Sequence, residues 1–193
     1  MAINPEWQTR IREELNDIEV PSDGPYQIPQ WTSISNLEVL DAVMKKALRL
    51  HSAAPASVWR EVPESGLVLG GNFIPQKGLA PFIANTLFLC NVTPHIEIPA
   101  HSPMPRNSIP FRWLSKDRQA DAMNELFMPF SKGSRACLGI NLAYMELKVT
   151  VATLQGRYQV GLAPDMQAHD MDMRDHFLIF PRGGKCNLVF EKI

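Results

Sequence analysis

Phe127 to Gly139, FMPFSKGSRACLG, is the stretch on which the reading of this chain turns. It sets Phe130, Gly133, Arg135, Cys137 and Gly139 in the spacing F-x-x-G-x-R-x-C-x-G. Glycine at 133 and 139 lets the backbone turn tightly and approach a flat partner, because no Cβ stands in the way. The run that follows, LGINLAYMELKVTVATLQGRY, carries Leu138, Leu142, Met145, Val149, Ala152 and Leu154 roughly on one side. A helix is expected there, ended by Gly156. A cysteine at such a helix start is favoured as a thiolate by the amides that follow it and by the positive end of the helix.

Upstream, Leu37, Leu40, Val43, Met44, Ala47, Leu48 and Leu50 form the apolar face of a helix running to Leu50, with Ser33 or Ser35 available as its cap. Pro5 to Leu15 reads as a short amphipathic helix, with Pro5 in its first turn and Trp7, Ile11 and Leu15 at helical spacing. Between these two, Pro21, Gly24, Pro25 and Pro29 predict a loop. Val58 to Pro75 holds the β-prone runs VWREV and GLVLGGNFI, broken by Pro63, Gly66, Gly70 and Gly71, as a small antiparallel sheet would be. The tail HFLIFPRGGKCNLVFEKI reads as a further hairpin turning at Gly183 and Gly184.

The composition, 45% hydrophobic and 20% charged over 193 residues, is that of a chain able to bury a core. A net charge of -1 supplies no basic field for nucleic acid. Cys90, Cys137 and Cys186 are odd in number and lack any C-x-x-C spacing, which argues against a disulfide scaffold or a zinc site and for a reducing compartment. Cys90 and Cys186 read as structural. The start, MAINPEWQTRIREEL, has no signal-peptide core, and no apolar run is long enough to span a membrane.

On the loop Phe130 to Gly139 the chain resembles the cytochrome P450 family, in its fungal microsomal type and over the C-terminal part only. The resemblance implies a mainly α fold with small antiparallel β-sheets (α+β), incomplete, with residues 1–193 forming a single partial domain. It implies heme b, with Cys137 as the axial thiolate ligand of the iron. Arg135 and Arg60 would pair with propionates, Phe130 would shield the sulfur side of the ring, and Gly133 and Gly139 would allow close approach. In such a site the thiolate donates electron density that favours cleavage of the O–O bond.

The segment LEVLDAVMKKALRLHSAAPASVWREV resembles the family's E-x-x-R helix and the turn after it, with Arg49 and Arg60 at the two arginine positions. IPFRWL resembles the later segment that completes the network, through Arg112 and Trp113. Lys46 and Phe111 stand where the family has acidic residues. A buried network of Arg49 and Arg112 without its anions is expected to cost about 3–5 kcal/mol. His51 is assigned no chemistry.

Residues 76–108 depart from the family pattern, with IPQKGLAPFIANTLFLCNV and a proline-rich run, and are expected to be anomalous, through a shifted reading frame or a retained intron. The resemblance implies a monooxygenase that oxidises a small lipophilic molecule with dioxygen and electrons from an NADPH-dependent cytochrome reductase, in fungal secondary metabolism. No nucleic-acid partner is expected. The location implied is the endoplasmic reticulum surface, or the cytoplasm if the chain is complete. The alternative is a truncated, catalytically inactive relative, because the family's oxygen-activating helix lies before the segment matched here.

Overall fold

The computed structural model of the chain describes residues 2, 4–21, 28–51, 53, 62–69, 71–75, 113–114, 121, 124, 127–176 and 178–193. Residues 76–108, with Cys90, lie outside the described residues, as do Arg60 and Arg112. Among the described residues there are four α-helices: α1 (Pro5–Leu15), α2 (Trp31–Ile34), α3 (Glu38–Leu50) and α4 (Ile140–Gln155). Three two-stranded antiparallel sheets accompany them. β1 (Leu67–Leu69) pairs with β2 (Asn72–Ile74), β3 (Tyr158–Leu162) with β6 (Leu188–Lys192), and β4 (Met173–His176) with β5 (Leu178–Pro181). This is the α+β architecture expected from the sequence.

The helices form because their apolar residues recur on one face and find each other. Trp7 and Ile11 of α1, Ile34 of α2, Leu40, Val43 and Met44 of α3 and Ala152 of α4 are buried together as the core. Pro5 occupies the first turn of α1, where its missing N–H has no helical partner to lose. Gly156 caps α4 at the position expected, its N–H donating to the Ala152 carbonyl at 2.9 Å.

Two polar side chains of α1 join it to the other elements. Gln8 is fully buried, and its amide donates to the Val160 carbonyl at 2.7 Å while its Oε1 accepts from the Val160 N–H at 2.8 Å. It acts as a one-residue partner strand for the edge of β3 that β6 leaves open. Glu14 caps α3 from outside: its two carboxylate oxygens accept from the N–H groups of Val39 and Leu40, at 2.9 and 3.0 Å.

That cap corrects the sequence reading. Ser33 lies within α2 and Ser35 ends it, whereas α3 starts only at Glu38, behind Leu37, which offers no side-chain cap. A carboxylate is the better acceptor here, since the exposed N–H groups and the helix dipole both favour negative charge. Glu14→Ala is therefore expected to destabilise the fold by about 1–2 kcal/mol, read by denaturant unfolding, with hydrogen exchange quickened first at Val39 and Leu40.

The tail is the second correction. Gly183 and Gly184 do form a turn, with the Gly184 N–H donating to Pro181 and φ of +68° at Gly184. The strands on either side of it do not pair with each other. β5 turns back on β4, with His176 opposite Leu178, and β6 runs along β3, with Val160 opposite Phe190. Gly183 instead donates to the Asp170 carbonyl, and the Asn187 carbonyl accepts from Ala163, so bonds to earlier parts of the chain hold the two strands apart.

Candidate functional site

The loop before α4 is built by short-range hydrogen bonds. Ser131 N–H donates to Met128 at 3.0 Å, Ala136 N–H to Gly133 at 3.1 Å, and Cys137 N–H reaches back to the Phe130 carbonyl at 2.8 Å. Residues Gly133–Arg135 form a single 3-10 turn between these closures. Gly133 has φ of +75°, in the left-handed region, which explains glycine at that position. Ser131 also has positive φ, +63°, a strained conformation for a residue with a Cβ.

Gly139 has φ of -88°, which any residue adopts, so conformation is not its reason. Among the described residues, a Cβ there would meet the Cys137 sulfur at 3.9 Å, an ordinary van der Waals contact. Glycine keeps the side of the thiol clear. Cys137 itself is a free, exposed cysteine one residue before Leu138 and three before the start of α4. Leu138 is fully exposed, and Leu142 and Met145 continue the apolar stripe at 58% and 37% exposure. The residues that fall roughly on one side of α4 thus divide between solvent and core, because the buried positions of the helix are Lys148, Ala152 and Gln155.

Behind the loop, the Phe130 ring packs on Tyr144 of α4 with centroids 5.3 Å apart. Burial, and secondarily the charge of Asp41, push the Tyr144 phenol up to about 12. The neutral phenol therefore contributes stability that is complete below pH 10 and is lost as pH rises from 10 toward 12. A spectrophotometric titration is expected to show one tyrosine ionising near 12, absent in Tyr144→Phe.

Asp41 of α3 lies at the centre of an ionic cluster that sequence reading missed. Lys148 of α4, almost fully buried, donates to Asp41 at 2.9 Å and to the Ser35 carbonyl at 2.7 Å. Lys45 pairs with the same carboxylate at 3.0 Å, donates to Asn124 Oδ1 at 3.1 Å and sits 5.7 Å over the Trp113 ring. Trp113 in turn meets Phe127 at the start of the loop, edge to face at 5.1 Å. The cluster thus links α3, α4 and both ends of the approach to the loop. The signal was a lysine within the apolar run of α4, where burial of the charge demands an anion.

Of the residues singled out from sequence, Phe130, Gly133, Cys137 and Gly139 are brought together in this loop. Arg135 contributes its backbone to the 3-10 turn, and its side chain is outside the described residues, as are Arg60 and Arg112. Arg49 lies buried near the end of α3, and both it and Lys46 are engaged by neighbours. The loop suits a heme on chemical grounds: an uncrosslinked thiol open to one side, no Cβ at 133 or 139, and an exposed apolar stripe beside it that the face of a macrocycle would cover.

The family model described as Cytochrome P450 matches residues 1–188. Cytochrome P450 monooxygenase penB of Penicillium thymicola is 30% identical over 180 residues, covering 93% of this chain and 37% of that protein. Cytochrome P450 monooxygenase asqL of Emericella nidulans is 33% identical over 154 residues, covering 78% of this chain and 29% of that protein. Cytochrome P450 monooxygenase FGM1 of Gibberella zeae is 30% identical over 195 residues, covering 100% of this chain and 35% of that protein. The chain therefore spans about a third of the length of the curated relatives it matches, and across that span it belongs to the cytochrome P450 family.

Proposed function

We propose that this chain is the proximal, heme-binding part of a heme-thiolate monooxygenase, with residues 1–193 forming one partial domain. Cys137 would hold heme b, its thiolate binding the iron. The single observation that supports this best is the exposed thiol held at the foot of α4 by the bond from its own N–H to Phe130. Arg135 and Arg60 would pair with the propionates, Phe130 would shield the sulfur, and Gly133 and Gly139 would leave room for the ring. When bound, heme iron supplies the redox chemistry that activates dioxygen.

The chain's own residues do the holding. The amides at the start of α4 and the positive end of that helix stabilise the thiolate charge. The Phe130–Tyr144 contact fixes the shielding ring, and the Asp41–Lys148 pair ties α4 to α3 so that the sulfur does not drift. By family membership the substrate is a small lipophilic molecule and the electron donor an NADPH-dependent cytochrome reductase. The setting is fungal secondary metabolism at the endoplasmic reticulum surface. No helix among the described residues is long and apolar enough to cross a membrane.

A second reading, a chain that takes up heme without turning it over, is favoured by Lys46 in place of the glutamate of E-x-x-R and by Phe111 in place of a later acid. The test is reconstitution with heme and a reduced carbon monoxide difference spectrum, followed by NADPH consumption and product formation with a reductase. A thiolate-type band with turnover supports the first reading, and the band without turnover supports the second. Failure to take up heme overturns both.

A further inference from the structure

The ionic cluster behind the loop holds more positive charge than a tie between two helices needs. Asp41 receives two ammonium groups, Lys148 at 2.9 Å and Lys45 at 3.0 Å. The Lys148 side chain is 6% exposed, against 24% for Lys45 and 31% for Asp41, so the most buried of the three is a cation. Apolar side chains of similar volume hold two helices together as well as a buried ion pair does. A tie explains why Lys148 meets Asp41, but not why an ammonium is buried in α4.

The cluster lies where the loop feels its charge. Lys148 is one turn beyond Tyr144 on α4 and two turns beyond Ile140, roughly 12 Å along the axis at 1.5 Å per residue. Tyr144 packs on Phe130, and the Asp41 carboxylate is near enough to Tyr144 to add to the rise of its phenol. Over about 10–15 Å of protein, one unit charge still changes a one-electron equilibrium by about three- to tenfold.

We propose, resting on the heme-thiolate reading above, that Lys45, Asp41 and Lys148 are positioning residues that set the ferric–ferrous balance of a heme held at Cys137. The two ammonium groups favour the ferrous form and Asp41 opposes them. Reduction transfers one electron from the reductant to the iron and makes or breaks no covalent bond, so a fixed charge nearby biases it directly.

The test is a spectroelectrochemical titration of the heme-loaded chain with dithionite as reductant at pH 6, below the ordinary lysine range and above the carboxylate range. Lys148→Met is expected to disfavour the ferrous form by about three- to tenfold at fixed potential, and Asp41→Asn to favour it by a similar factor. In Asp41→Asn the bond from Lys148 to the Ser35 carbonyl, 2.7 Å in the parent, still holds the ammonium. A purely structural tie would loosen the loop in both variants and shift the balance the same way. Lys45→Met leaves the Asp41–Lys148 pair intact and is expected to shift it as Lys148→Met does, by about twofold because Lys45 is more exposed, so the sign is read even where Lys148→Met does not fold.

In the heme-free chain, Asp41→Asn is expected to lower the Tyr144 ionisation from about 12, as removal of a charge felt at the loop requires. Failure of the parent chain to take up heme overturns the heme-thiolate reading and this proposal with it. Uptake with a thiolate-type band, but with no shifts or with shifts of one sign in the lysine and aspartate variants, overturns the proposal alone. So does a Tyr144 ionisation that Asp41→Asn leaves unchanged.

Discussion

Replacing Cys137 by serine is expected to abolish the thiolate-type Soret band of the reduced, carbon monoxide-bound protein and to weaken heme retention by at least about 10- to 100-fold. The effect is large because the loop offers one thiol. Its backbone is closed by bonds at Met128, Gly133 and Phe130 that do not involve the Cys137 side chain, so the serine variant keeps the same loop and loses only the ligand. Serine is a poor donor to iron, and its hydroxyl is not ionised by the helix end as a thiol is. Cys186 is equally exposed and free, and Cys186→Ser supplies the control, with the band unchanged. A thiolate-type band that survives in Cys137→Ser would remove Cys137 from the site.

The second large effect is on stability. Gln8→Leu is expected to destabilise the fold by about 2–5 kcal/mol, since it leaves two buried main-chain groups of Val160 without partners at about 1–3 kcal/mol each. Leucine is close in volume to glutamine and is apolar in a fully buried site, so packing is not the cause. β3 has one ladder partner, β6, and Gln8 satisfies its other edge at Val160. For a chain of this size the loss corresponds to a fall in melting temperature of roughly 5–15 °C. A change of under about 1 kcal/mol would show that water replaces the glutamine at this edge.

Much of the fold was legible because it is written in local pattern. The spacing of Trp7, Ile11 and Leu15 after Pro5 gave α1 its full extent, and the run after Gly139 gave α4 with its end at Gly156. Errors arose where partner choice is not local. Ser33 and Ser35 are good caps in isolation, but the acceptor that α3 uses comes from Glu14, which is 25 residues from Val39. β5 and β6 look like the two arms of one hairpin, yet each finds its partner on the other side, in β4 and β3.

The candidate site divides in the same way. The register of Phe130, Gly133, Arg135, Cys137 and Gly139 is a short-range feature, and bonds spanning three to seven residues are enough to build the loop from it. What supports the loop is long-range. The absence of acids at Lys46 and Phe111 suggested helices left without a lock, whereas Asp41, on the same helix as Lys46, receives Lys148 from α4 and Lys45 from its own turn. Lys148 is nearly buried while Asp41 is partly exposed, so removing Asp41 would leave the buried ammonium without its anion, and the cluster adds to the rigidity behind Tyr144 and Phe130.

By itself, then, the amino-acid sequence determined the family, the helices with a clear 3.6-residue period and the thiol at Cys137, all of which depend on residues close together along the chain. Only the tertiary structure decided which acid holds α3 to α4 and that Gln8 completes the edge of β3. Each of those depends on which buried donor meets which acceptor across the core, and burial makes that pairing obligatory without marking it in sequence.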